Sequence, residues 1–314
     1  MEEEMKKVNT VKGSIDVEEL GLTLIHEHIF NNYPYYKEQE NTDFALKQLN
    51  LLKKFNVKTI VDLTPYAKFS PYKNLIENCN DFNIISSVGF YLDKFVPKQY
   101  KIDNVETLVN KLSKKIECGV GSEKCRPGVI KIAAKNESLS RNELKFFEVA
   151  SILQQKYNIP IATHSPKGAL NHIKTLINFG ADPNHIYLSH LENSFNEENF
   201  NNSMNNMIKV TQTGASILLS NFGFNENGKR CINSADIAKY LKDYGYLNKI
   251  LISADSYWLW KNNQIKIREQ RKNQKVEKNI LYTFNHIIPA LRKLNFSEED
   301  IHEILYVNPY NIFN

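Results

Sequence analysis

The sequence predicts a closed barrel of eight parallel strands wrapped by helices, the (β/α)8 or TIM-barrel class. Three observations predict it. Eight short apolar or β-branched runs recur along the chain, longer stretches of helical spacing separate them, and no glycine-rich phosphate turn follows any run. Strands alternating with helices need crossover connections and so form a parallel sheet. Eight such units close a barrel of typical length, about 250 residues. The rival, a doubly wound open sheet, normally carries the missing glycine-rich turn.

The runs come in order. "LTLIHEH" opens the series, followed by the β-branched "VKTIVDLT" and "NIISSVGF". "PGVIKIAA" and "IPIATHS" each carry a proline near the start, and "HIYLSHL" is mostly apolar between two histidines. "ASILLSN" and "KILISAD" complete the eight. Between them, "ELKFFEVASILQQKY" and "SADIAKYLKDYGYL" carry the apolar spacing of amphipathic helices. No internal repeat interrupts this order. The expectation is one domain over residues 1–314.

Composition narrows the class. Hydrophobic residues at 42% and charged residues at 24% belong to a soluble globular chain that needs no disulfides for its core. Cys79, Cys118, Cys125 and Cys231 form no C-x-x-C pair, so they read as free thiols. No run approaches the length of a membrane span, and "MEEEMKKVNT" lacks the apolar segment of a secretory signal, so the expected location is cytoplasmic. A net charge of +5 is mild; it suits acidic small substrates and does not announce a nucleic-acid binder. The Asn-rich "ENSFNEENFNNSMNNMIK" reads as a solvated helix. Lys261 to Lys278, with seven basic residues against two acidic, reads as a long loop over the catalytic end, a solvated face ahead of an anion-binding lid.

The chemistry begins in "GLTLIHEHIF". Residues i and i+2 of a strand share a face, so His26 and His28 project together into the barrel at its C-terminal rim. His164 closes the fifth run, His190 the sixth and Asp255 the eighth. That rim is where barrel enzymes build their active sites. Histidines with a carboxylate suit zinc or a similar borderline metal. Lys131 interrupts an apolar strand on its interior side, which is costly unless the amine is neutral or paired. It either snorkels to a carboxylate or, as a neutral amine, captures carbon dioxide to give a carbamate. His172, His185, His286 and His302 fall in helices or at the opposite end and read as structural.

"HEH" on strand one, "IK" on strand four, "THS" on strand five, "SHLE" on strand six and the strand-eight Asp resemble the phosphotriesterase family of the amidohydrolase superfamily. The likeness runs from "GLTLIHEHIF" to the closing "DIHEILYVNPYNIFN". It implies two divalent metal ions, zinc first with manganese or cobalt as substitutes. His26, His28 and Asp255 would hold the buried ion and His164 and His190 the outer one. N6-carboxylated Lys131 and a hydroxide would bridge them, with Asp255 moving the proton.

The resemblance further implies a small-molecule lactone or other ester as substrate, organophosphate triesters as a side activity, and a homodimer. Tyr91 in "GFYLDKFVP" matches the family's aromatic residue over the metals. Where family lactonases acting on acyl-homoserine lactones often carry an Arg, "LLSNFGF" offers Asn221 and Phe222. Where relatives cleaving phosphorylated sugar lactones place Arg and Tyr, "DSYWLWK" offers Trp258, Trp260 and Lys261. Lys229 and Arg230 could bind a phosphate as point charge and fork. Two other readings compete: a mononuclear deaminase, which needs no bridge at Lys131, and a non-catalytic basic scaffold binding nucleic acid through Lys261–Lys278.

Overall fold

The computed structural model describes residues 6–29, 42–65, 70–79, 81–121, 123–195, 199–220, 222, 234–261, 264–267 and 277–314. An antiparallel hairpin, β1 (Lys7–Thr10) and β2 (Gly13–Asp16), precedes eight parallel strands. These are β3 (Leu22–Glu27), β4 (Val57–Asp62), β5 (Asn83–Gly89), β6 (Val129–Ala133), β7 (Ile161–His164), β8 (Ile186–Ser189), β9 (Ser216–Leu219) and β10 (Ile250–Ile252). They follow the eight runs in sequence order, each hydrogen-bonded to the next. Backbone bonds join the two ends: Asp255 N–H donates to His26 O at 3.1 Å and His28 N–H to Ser256 O at 2.9 Å.

Two apolar layers fill the molecule. One takes a single residue from every barrel strand: Ile25, Val61, Ile85, Val129, Ala162, Tyr187, Leu218 and Leu251. Only the barrel axis is common to all eight, so these side chains pack the interior. Val8, Val17, Leu20, Ile312 and Phe313 join that layer and plug the N-terminal mouth. The alternate residues, such as Leu24, Ile60, Ile130, Ile132 and Leu219, pack outward against the helices. The one hydroxyl in the interior layer, Tyr187, is satisfied by donating to Ile25 O at 3.1 Å.

The helices form where the spacing places them. Arg141–Tyr157 starts with a reciprocal Ser140–Glu143 capping box and ends at a left-handed Asn158. Ser234–Asp243 buries Ala235, Ile237, Ala238 and Leu241. The Asn-rich stretch supplies a helix over Phe200–Gln212, whose Met204, Met207 and Val210 anchor it to the core.

Most of the basic segment, residues 262–263 and 268–276, lies outside the described residues. Its start pairs as a hairpin, β11 (Trp258–Lys261) with β12 (Gln264–Ile267), setting Trp258 opposite Ile267 and Trp260 opposite Ile265. An aromatic residue opposite a β-branched one, Trp258 against Ile267, favours that pairing. At the segment's other end Lys278 is fully buried, its Nζ donating to Ser220 O. Among the described residues, no helix is long and apolar enough to cross a membrane.

Candidate metal centre

Strict alternation from Leu22 and Leu24, both in the outer layer, would send His26 outward as well. A register shift between Leu24 and Glu27 against β4 breaks the period there. His26 and His28 therefore meet above the interior layer, ring centroids 5.4 Å apart, while Glu27 turns toward Ser253–Ser256. Their Nε2 atoms lie 3.6 and 3.2 Å from Asp255 Oδ1. His190 Nε2 stands 4.0 Å from Asp255 Oδ2, and the His190 and His164 rings are 4.5 Å apart. Ligand atoms of His26, His190 and Asp255 fall within 4.8 Å of one another.

Two of these residues hold left-handed backbone, His190 at φ 70° and Asp255 at φ 51°. Non-glycine residues adopt it at a cost, and here it aims both side chains at one point from the ends of β8 and β10. Lys131 reaches the same place by simple alternation, two residues after Val129. It is 1% exposed, and burial pushes its amine down to about 8, with Asp255 pulling the other way. Gly89 makes room beside it. A Cβ there would sit 2.1 Å from Lys131 O, and the φ of 136° favours glycine.

Two of the rings are steadied from behind. His28 Nδ1 bonds Thr64 Oγ1 at 2.8 Å; Thr64 N–H donates to Asp62, which also accepts from Tyr72 OH at 2.8 Å. Ser220 Oγ lies 3.2 Å from His190 Nδ1, and its amide donates to Glu192 at 2.8 Å. His26 Nδ1 is buried with no hydrogen-bond partner among the described residues.

The donor set fits a divalent cation. Burial first, then neighbouring charge, holds His26 and His164 well below the ordinary imidazole range, so both are neutral with a lone pair to give. An anionic carboxylate and a low-pKa amine complete the cluster.

Tyr91 stands at the edge of this group, its ring 5.4 Å from that of His164 and stacked on Phe95. Trp258 is buried and packs edge-on against Phe44, which makes it part of the core wall. Lys261 ends β11, where its backbone pairs with Gln264. Lys229, Arg230, Asn221 and Cys231 lie outside the described residues. His172 bonds Ser165 and Asn136, and His185 bonds Ile312 O at the opposite end, both structural placements. A cavity of about 490 Å³ borders Ser165 and Leu191, with Lys167, Lys174 and Asn202 on its walls, but no candidate ligand lines it.

The family model described as "Phosphotriesterase family" matches residues 6–313. The chain belongs to the phosphotriesterase family. It is a phosphotriesterase-family hydrolase, and the family's metal-dependent chemistry meets a possible metal site of His and Asp residues here. It is 27% identical over 338 residues to a phospho-furanose lactonase from Mycoplasmopsis synoviae, covering 98% of this chain and 92% of that one. It is 25% identical over 316 residues to an aryldialkylphosphatase from Saccharolobus solfataricus, covering 96% and 98%. A mutant organophosphorus hydrolase from Deinococcus radiodurans shares the fold at a TM-score of 0.86 and 21% identity, covering 100% and 98%.

Sequence reasoning missed Glu27, Thr64, Ser220 and Lys278. The first sat in plain view between two histidines. The others are ordinary strand-end or loop residues whose partners are known only after folding.

Proposed function

We propose that the chain opens a small anionic lactone, a carboxylic ester, with organophosphate triester cleavage as a side activity. One observation carries this reading: four histidines, Asp255 and a fully buried lysine converge at one rim of the barrel. The phospho-furanose lactonase among the relatives supports a phosphorylated sugar lactone as the class to try first.

Two divalent cations, zinc or else manganese or cobalt, held by His26, His28, His164, His190 and Asp255, would supply hydroxide near neutral pH and polarise the ester carbonyl. Lys131 Nζ, partly neutral because burial lowers its pKa to about 8, adds carbon dioxide. The amine lone pair would bond the carbon as one C=O π bond opens onto oxygen, one N–H proton would leave to water, and the carbamate would add anionic oxygens to the donor set. Asp255 accepts a proton as the nucleophile attacks and returns it to the departing alkoxide. Tyr91, edge-on to His164, walls the substrate side.

The burial of Lys131 beside Asp255 favours this two-cation reading over a mononuclear deaminase. The test is a panel of lactones, with and without phosphate, on zinc- and manganese-loaded protein, with His26→Ala alongside. Turnover that vanishes in His26→Ala is expected. If no lactone is opened, the lactonase reading is abandoned.

A further inference from the structure

We infer that Glu27 is a positioning residue that sets the strand-eight carboxylate, Asp255, from behind. The inference rests on the reading that Asp255 and the histidines hold a metal ion. Glu27 is fully buried, and both of its oxygens are spent on the turn that carries Asp255. Oε1 accepts from Ser253 Oγ at 2.6 Å and from Ala254 N–H at 3.0 Å. Oε2 accepts from Ser256 N–H at 2.7 Å and Ser256 Oγ at 2.5 Å. The amide between them, that of Asp255, donates to His26 O at 3.1 Å. Three consecutive backbone N–H groups are thus anchored to His26 and Glu27.

Asp255 sits at the centre of this clamp with a φ of 51°. A non-glycine residue keeps left-handed backbone only when its surroundings over-determine it, and the flanking bonds to Glu27 do so. Ser253 ties the clamp to the ring pair, because its Oγ also accepts from His26 N–H at 3.1 Å. The tripeptide His26-Glu27-His28 therefore places three candidate ligands: two directly, and Asp255 through its middle carboxylate. Partners behind metal ligands commonly fix their orientation in this way.

Glutamine is the discriminating substitution. Each Glu27 oxygen takes one backbone N–H, so the amide NH2 of a glutamine opposes a fixed donor whichever way it is turned. Full-length metal-free protein is titrated with Co2+ against a competing chelator, and the visible Co2+ band is recorded. The wild type binds Co2+. Glu27→Gln weakens Co2+ binding about 10- to 100-fold and shifts the band. Ser256→Ala, which removes one bond and keeps the backbone donor, weakens it about three- to tenfold. Should Glu27→Gln not fold, Ser256→Ala decides alone. Wild-type affinity and an unaltered band in either folded variant would overturn the inference, whatever happened to thermal stability, and leave Glu27 as a seam contact only. A wild-type chain that binds no Co2+ overturns the metal reading, and this inference with it.

Discussion

His28 Nε2 lies 3.2 Å from Asp255 Oδ1, across the seam where the first and last barrel strands meet. The two residues are 227 positions apart in the chain, and only closure of the barrel brings them together. A cation bound there would link both edges of the sheet and favour the folded state over the unfolded one. Stripping the metal with a chelator should therefore lower the unfolding temperature. At free metal a hundredfold above Kd, loading should add about 2.7 kcal/mol, read by calorimetry. His28→Ala should shrink that increment; an equal increment in both proteins would place the ion elsewhere.

Lys131 predicts a dependence on carbon dioxide. The buried amine, with its pKa near 8, is neutral often enough to react. Reconstitution of metal-free protein should be faster with bicarbonate present, and Lys131→Ala should hold one metal per chain where the wild type holds two. Elemental analysis of the dialysed proteins reads the count.

Ser220 bonds His190 Nδ1 and should fix which nitrogen that ring presents. Ser220→Ala should retain the fold while lowering metal affinity about tenfold, measured by chelator competition. Lys278, whose Nζ donates to the Ser220 carbonyl, keeps the neighbouring backbone in place.

Gly89 should tolerate no side chain. Its φ of 136° and the 2.1 Å approach to Lys131 O leave no room for a methyl group, and the Phe90 N–H bond to the same oxygen at 2.7 Å pins the strand ends together. Gly89→Ala should cost roughly 2–4 kcal/mol, from strained backbone and overpacking, in urea unfolding.

His172 should make the protein acid-sensitive. Burial holds its pKa below the ordinary 6.5, with the bond to Asn136 O partly opposing. Below about pH 6.5 the unfolded chain takes up a proton that the folded chain refuses, so stability present at neutral pH is lost as pH falls. The slope is at most about 1.4 kcal/mol per pH unit for this group. In His172→Gln, urea unfolding between pH 7 and 5.5 should show a flatter decline than in the wild type.

Much of the molecule was legible in the chain. Short apolar runs and helical spacing are local properties, so the eight strands and their order could be read directly, as could His26, His28, His164, His190 and Asp255 as strand-end residues. Lys131 was legible for the same reason: a lone charge in an apolar strand conflicts with its surroundings. The placement of the two ends of the basic run, Lys261 and Lys278, was not legible because charge density records solubility, whereas strand pairing and the burial of Lys278 depend on distant partners.

The sequence by itself determined the fold class and the residue types gathered at one end of the barrel, because pattern and composition need no partner. Only the tertiary structure decided how those residues meet. The register shift that turns His26 inward, the left-handed backbone at His190 and Asp255, and the Glu27 bonds across the seam all arise between segments far apart in the chain. A hydrogen bond over 227 residues leaves no local trace, since its energy exists only after closure has paired the strands.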